Sequence, residues 1–322
     1  MLWRGMFALA APGGRRARLA ILIFHRVRSQ VDPLFPGEPD AAQFAALLRH
    51  LSTRFRVLPL GEGIDRLYDG TLPSRALAIT FDDGYADNFT VAAPLLQAAG
   101  MPATIFVAAG HLDGGAMWND RVIEAVRGVK ASRLDLAPLG LGVLDTGSID
   151  AKRGSIDRLL FALKYRPQDE RERDARTLQD AAQVADPIAL MMTSAQVEAL
   201  ARHGIAVGAH TLTHPILTRL ADVDARVEIA GSKARLEAIT GRPVKLFAYP
   251  NGRPQEDYGP AHVRMVREAG FAAAVSTAWG AATAACDRFQ LPRFTPWTRR
   301  PLRFDLLMLR NLRAAASDRV AV

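Results

Sequence analysis

Strand-length, largely apolar runs recur along this chain, each ending in polar or turn-forming residues. They fall at Leu19–Phe24, Leu77–Phe81, Ala103–Ala108, Ile205–Ala209, Lys245–Tyr249 and Ala272–Ser276. Such runs, bounded by turn residues, read as parallel strands buried on both faces. Between them, apolar residues return at helical spacing. Phe44, Leu47, Leu48 and Leu51 form one such face, with Asp40 placed to cap it. Ile64–Tyr68 reads as a helical turn, Ala92–Ala99 as a helix stopped at Gly100, and Asp222–Ile239 as one closed by Gly241. Ser194 can cap a helix over Ala195–His203, and Ala261–Ala269 is a helix stopped at Gly270. Phe55–Leu60 is a connector or short strand, Arg288–Arg293 an extended piece, and Phe304–Arg313 a helix docked on the body. Strand and helix alternate through most of the chain, which predicts an α/β fold, parallel and barrel-like.

From about residue 111 to residue 192 the pattern changes. Trp118–Val129, Ile156–Lys164 and Asp169–Val184 read as helices, the last a charged, solvated face. The segment is expected to be a helical insertion near the rim of a single domain spanning residues 1–322. Trp118 and Asp120 follow close behind a strand end. They are either a core aromatic with a helix cap, or a substrate-lining aromatic beside one.

Composition adds bounds. The 322 residues are 49% hydrophobic and 23% charged, a globular balance with ample length for a core. A net charge of +8 fits either attraction to an anionic surface or polymer, or a compositional habit. No dense Lys/Arg run is interleaved with aromatics, so nucleic acid is not the expected partner. Cys286 is the sole cysteine, which excludes an intramolecular disulfide. The N-terminal apolar stretch Met6–Ala11 is shorter than a secretory core and has positive charge on both sides. No run approaches the roughly 18 apolar residues of a membrane span. A cytoplasmic location is expected, with a membrane-associated or periplasmic one as the alternative and peripheral membrane contact as a minority option.

The chemistry gathers at strand ends. Leu77–Phe81 stops at two adjacent carboxylates, Asp82 and Asp83, followed by Gly84. Neighbouring carboxylates ionise together at low cost only beside a positive charge, and a divalent metal is the usual one. Ile205–Ala209 stops at His210, with His214 four residues on. One carboxylate and two imidazoles, with positions left open, make a catalytic metal set. His25 and Pro250–Gly252 lie at further strand ends. His50, His111, His203 and His262 read as surface or packing residues without partners.

TFDDGY at Thr80–Tyr85, taken with HTLTHP at His210–Pro215, resembles the polysaccharide deacetylase family. This is carbohydrate esterase family 4, the chitooligosaccharide deacetylase homology domain. Matching pieces run from Leu19 to about Pro296 and leave the insertion uncovered. The resemblance implies a distorted (β/α)7 barrel that hydrolyses N-acetyl groups on an acetylated saccharide, using Zn²⁺ or another divalent metal such as Co²⁺ or Ni²⁺. By position it makes Asp82 the catalytic base and Asp83, His210 and His214 the metal ligands. Tyr85, Tyr249 and Pro250, with Trp118, would line the substrate. The third motif departs from the family pattern: Ala248 stands at the arginine position and Asn251 at the aromatic one. The backbone N–H of Asn251 can still serve an oxyanion hole. The family's late Leu-x-Leu-x-His segment is absent. ILIFHRV at Ile21–Val27 instead resembles the variant of exopolysaccharide-acting members, in which the strand bearing the general acid comes first. That makes His25 the acid and leaves Arg293 as the candidate for the displaced arginine. The alternatives are hydrolysis of another amide or O-acetyl ester on the same metal site, and a non-catalytic carbohydrate-binding homologue.

Overall fold

The computed structural model describes residues 2–186, 190–295, 298, 300–314 and 320–321. Pro296, where the resemblance ends, and residues 187–189 of the insertion lie outside them. The strands are β1 (Ala20–Phe24), β2 (Arg56–Val57), β3 (Ala76–Phe81), β4 (Ala103–Val107), β5 (Arg133–Leu136), β6 (Gly142–Asp145), β7 (Ile205–Ala209), β8 (Leu246–Ala248) and β9 (Ala273–Val275). The helices are α1 (Leu2–Ala10), α2 (Ala41–Arg54), α3 (Leu60–Tyr68), α4 (Ala93–Ala98), α5 (Trp118–Gly128), α6 (Ile149–Leu163), α7 (Gln168–Ala182), α8 (Ser194–Ala199), α9 (Asp222–Thr240), α10 (Pro260–Glu268) and α11 (Pro301–Arg313).

β1, β3, β4, β7, β8 and β9 lie side by side in that order, all parallel, and β2 pairs with the start of β3. The seam between β9 and β1 is closed by Leu291–Phe294. Ser276 N–H donates to Leu291 O at 2.8 Å on one side, and Phe294 N–H donates to Ile21 O at 2.8 Å on the other. The fold is therefore the expected distorted (β/α)7 barrel. Every residue of β1, β3 and β4 is buried, which explains their unbroken apolar runs. Outside the barrel, Phe44 of α2 meets Phe24 and Phe81 edge-on at 5.7 and 5.8 Å. Asp40 caps α2 as its sequence predicts, accepting from Gln43 N–H at 2.8 Å.

Three elements differ from the sequence expectation. The cap of α8 is Thr193, not Ser194; Ser194 instead donates its N–H to Asp113 Oδ1 at 2.7 Å. Met6–Ala11 belongs mostly to α1, a helix packed beside α2 and α11 with Phe7 buried against Phe55 at 4.6 Å. The insertion is not purely helical. It carries the antiparallel hairpin β5–β6, and α6 starts at Ile149 behind the Ser148 cap, well before Ile156. Leu134, Leu136 and Leu144 of the hairpin join Val122, Leu159 and Leu178 in a core of the insertion's own. Four-residue strands carry too few alternating positions to stand out from a helical background. No helix among the described residues is long and apolar enough to cross a membrane.

Candidate active site

The carboxyl ends of β1, β3, β7 and β8 deliver the polar groups to one place. β1 and β3 run in register, with Phe24 opposite Phe81, so His25 and Asp82 emerge together. Asp82 N–H donates to Phe24 O at 2.9 Å and locks that step. The next residue turns sharply. Asp83 adopts φ 73° and Gly84 φ 90°. A Cβ on Gly84 would sit 3.0 Å from Val107 Cγ1, so position 84 needs glycine on two counts. Left-handed backbone at a non-glycine residue is costly and collects at functional sites.

The turn gives the two carboxylates separate fates. Asp82 is 2% exposed and takes a fork of two hydrogen bonds from Arg293: Nη1 to Oδ1 at 2.6 Å and Nη2 to Oδ2 at 2.7 Å. Arg293 is itself 1% exposed, and its Nε donates to Ser276 O at 2.9 Å. Burial alone would raise the Asp82 pKa; the guanidinium outweighs it and holds the group at about 2. Asp83 Oδ1 is buried with no hydrogen-bond partner among the described residues. It lies 3.4 Å from His214 Nε2 and 3.6 Å from His210 Nε2. Burial raises the Asp83 pKa.

The two imidazoles are held as neutral, lone-pair-bearing groups. His210 Nδ1–H donates to Ala248 O at 2.7 Å, which leaves Nε2 as the free lone pair facing Asp83. Burial pushes His210 down to about 4 and His214 to about 3. The four-residue spacing is not helical: Thr211 (φ 63°) and His214 (φ 57°) are both left-handed, and the segment is a turn. Glu228 of α9 braces it, accepting from the N–H groups of Leu212 and Thr213, each at 2.8 Å. Ligand atoms of Asp83, His210 and His214 all lie within 4.8 Å of one another. An orphaned buried carboxylate oxygen opposite two imidazole nitrogens is the donor set of a divalent metal, and these residues fit one.

His25 is half-buried at the end of β1 and acts electrostatically on Asp82, Asp83 and His214. Two residues that the motif reading passed over hold it there. Asn88 Nδ2 donates to His25 O at 2.8 Å, and Asp87 accepts from Arg26 Nε at 2.7 Å and from Val27 N–H at 3.3 Å. Asn251 has φ 57°, and its carbonyl accepts from Thr277 Oγ1 at 2.7 Å. Its backbone N–H makes no hydrogen bond among the described residues.

The proposed substrate wall needs correction. Tyr249 is fully buried, stacked on Tyr258 at 3.9 Å, with its hydroxyl donating to Phe289 O at 3.0 Å. Pro250 is buried behind Asn251. Tyr85 is 4% exposed; Arg26 covers its ring at 4.3 Å and its hydroxyl donates to Asp120 Oδ1 at 2.9 Å. The hydroxyls of Tyr85 and Tyr249 are hydrogen-bonded inside the protein and Pro250 is buried, so none of the three presents an exposed wall. Trp118 remains partly exposed, under Arg171 of α7 at 4.9 Å. Arg171 is buried, with Nη1 donating to Lys164 O at 3.1 Å, and its charge is felt at His214.

The other histidines also have partners. His50 Nε2 is 2.7 Å from Asp305 Oδ1, His203 Nδ1 is 3.0 Å from Gln97 Oε1, and His262 Nδ1 accepts from Gly259 N–H at 2.9 Å. His111 is the exception: its Nε2 is buried with no hydrogen-bond partner among the described residues, and the ring is near enough to Asp83 and His214 to act on them electrostatically. Its sequence position, four residues past the end of β4, was the available signal.

Comparison with known proteins adds the family. A family model described as "Polysaccharide deacetylase" matches residues 69–134 and 164–274, more than half of the chain. The residues it skips take in β6 and α6 of the insertion. The Bacillus subtilis (strain 168) protein named "Putative polysaccharide deacetylase YxkH" is 23% identical over 272 residues, 83% of this chain and 67% of that one. Among solved structures, the Streptococcus pyogenes deacetylase PplD in complex with acetate aligns with TM-score 0.60 at 18% identity, covering 92% of this chain and 99% of its own. IcaB from Ammonifex degensii aligns with TM-score 0.58 at 19% identity, covering 94% and 99%. Both structures share this fold.

Proposed function

Because the chain belongs to the polysaccharide deacetylase family, we propose that its centre is a metal-dependent hydrolase of N-acetyl groups on hexosamine-containing saccharides. The observation that carries the reading is the split carboxylate pair: Asp82 locked to Arg293, and Asp83 Oδ1 facing two imidazoles without a hydrogen bond. Asp83, His210 and His214 would hold a divalent ion such as Zn²⁺, Co²⁺ or Ni²⁺, which when bound would supply Lewis acidity toward the amide carbonyl and toward a water. Asp82, ionised at about 2 and above, is ready to accept the proton of that water near neutrality. Arg293 orients both Asp82 oxygens and keeps the group charged. The Asn251 N–H donates to the developing oxyanion, a role that needs backbone geometry and not an aromatic side chain. His25 hands a proton to the departing amine; without it the leaving group would be a strongly basic anion. Trp118, partly exposed and backed by the buried Arg171, is the aromatic that the insertion offers to the saccharide site. The acetate bound to PplD is the size of the group this cleft would release.

The test is acetate release from N-acetylglucosamine oligomers and from acetylated polysaccharide, after metal stripping and Zn²⁺ return. Asp82→Asn should keep metal binding and lower turnover roughly 10²-fold or more. Release that is metal-independent, or unaffected in Asp82→Asn, would remove this mechanism. Release from O-acetylated substrates alone would move the reading to an esterase.

A further inference from the structure

We propose that the face built by α1, the Gly14–Arg16 turn and α11 docks on a bilayer of anionic lipids. The active site does not use the net charge of +8. Much of it sits on this face. Arg4, Arg15, Arg16 and Arg313 are exposed and form no ion pair among the described residues. α1 contains no acidic residue, and the one acid on α11, Asp305, is buried and held by His50 and Arg54. Cations gathered without counter-charge repel one another in solution, and an anionic surface relieves that repulsion.

Large apolar side chains are exposed on the same two helices, and Leu9 shares a groove with the arginines. α1 and α11 pack beside each other, and between them they expose Leu2 (75%), Leu9 (84%), Leu302 (61%) and Leu306 (54%). Where α1 ends, a groove of about 740 Å³ is lined by Leu9, Arg15, Arg16, Arg18 and Arg313, with no carboxylate on its wall among the described residues. Exposed leucines beside unpaired arginines match the chemistry of a lipid interface: acyl chains for one, phosphate headgroups for the other. A nucleic acid or free polyphosphate would satisfy the arginines and give the leucines nothing.

The groove lies at the start of β1, where Leu19 pairs with Ala282, the opposite end of the barrel from Asp82 and His210. A docked molecule therefore keeps its catalytic end turned away from the lipid at this contact. The proposal is independent of which acyl group the centre removes.

The experiment is sedimentation with vesicles of phosphatidylcholine alone or mixed with phosphatidylglycerol, at low and high salt. Binding is expected to the mixed vesicles only and to weaken with salt. Arg15→Glu with Arg16→Glu should lower vesicle affinity roughly thirtyfold or more. Leu2→Ser with Leu9→Ser should lower it at unchanged charge. Both double variants should keep the wild-type melting temperature and soluble-substrate activity, since these residues are remote from the site. Equal binding to neutral vesicles, or wild-type binding by the arginine variant, overturns the proposal. So does tighter binding to single-stranded DNA, with the leucine changes having no effect on vesicles.

Discussion

Asp82 and Asp83 are neighbours in sequence and opposites in chemistry, and the difference is made by one side chain 211 residues away. Arg293→Gln would leave Asp82 buried and charged with its guanidinium gone. We expect a loss of about 3–5 kcal/mol in unfolding free energy, measured by denaturant titration. The acid limb of the pH–rate profile should also rise, because the Asp82 pKa would no longer be held at about 2. The carboxylates and imidazoles were legible in the sequence because each ends an apolar run, and strand ends are where a barrel collects chemistry. Arg293 was only a candidate, since nothing local in Leu291–Phe294 marks it as a partner of Asp82. Tyr85 and Tyr249 were misread for a related reason. Nearness to a motif in sequence does not reveal that a hydroxyl is already hydrogen-bonded inside the core.

At the scale of elements, the site depends on turns braced from behind. Glu228 of α9 holds the His210–His214 turn through two backbone N–H groups and the Thr213 hydroxyl, the last at 2.6 Å. Glu228→Ala should weaken Zn²⁺ binding by roughly 10–100-fold, read by competition against a chelating dye. Asn88 does the same for the His25 segment. Asn88→Ala should lower kcat with little change in KM. Combined with His25→Ala it should cost little more than His25→Ala alone, the non-additivity of groups acting as a unit. The barrel strands were legible to within a residue or two. The helix–strand mix of the insertion was not, because β5 and β6 are short and gain their burial only against α5, α6 and α7.

For the whole molecule, the join between barrel and insertion titrates. Asp120 of α5 is held by Tyr85 of the barrel and by Met117 N–H, and burial lifts its pKa to about 7. A carboxyl whose pKa rises on folding stabilises the fold fully below the ordinary carboxylate range, and loses that contribution as pH climbs through about 7. The gap in melting temperature between wild type and Asp120→Asn should therefore drift between about pH 4 and pH 8 and level off beyond each end. The other whole-molecule feature is the seam. Leu291–Phe294 is the last stave to enter the barrel, and it carries the cation that settles the charge on Asp82. Until that stave arrives, residues 82 and 83 form an unrelieved anionic pair beside an open edge of β1. A chain still emerging from the ribosome thus carries Asp83, His210 and His214 while Asp82 still lacks its guanidinium partner, so on the proposed mechanism hydrolysis awaits the final closure of the ring, and a product truncated before Arg293 is expected to be inactive.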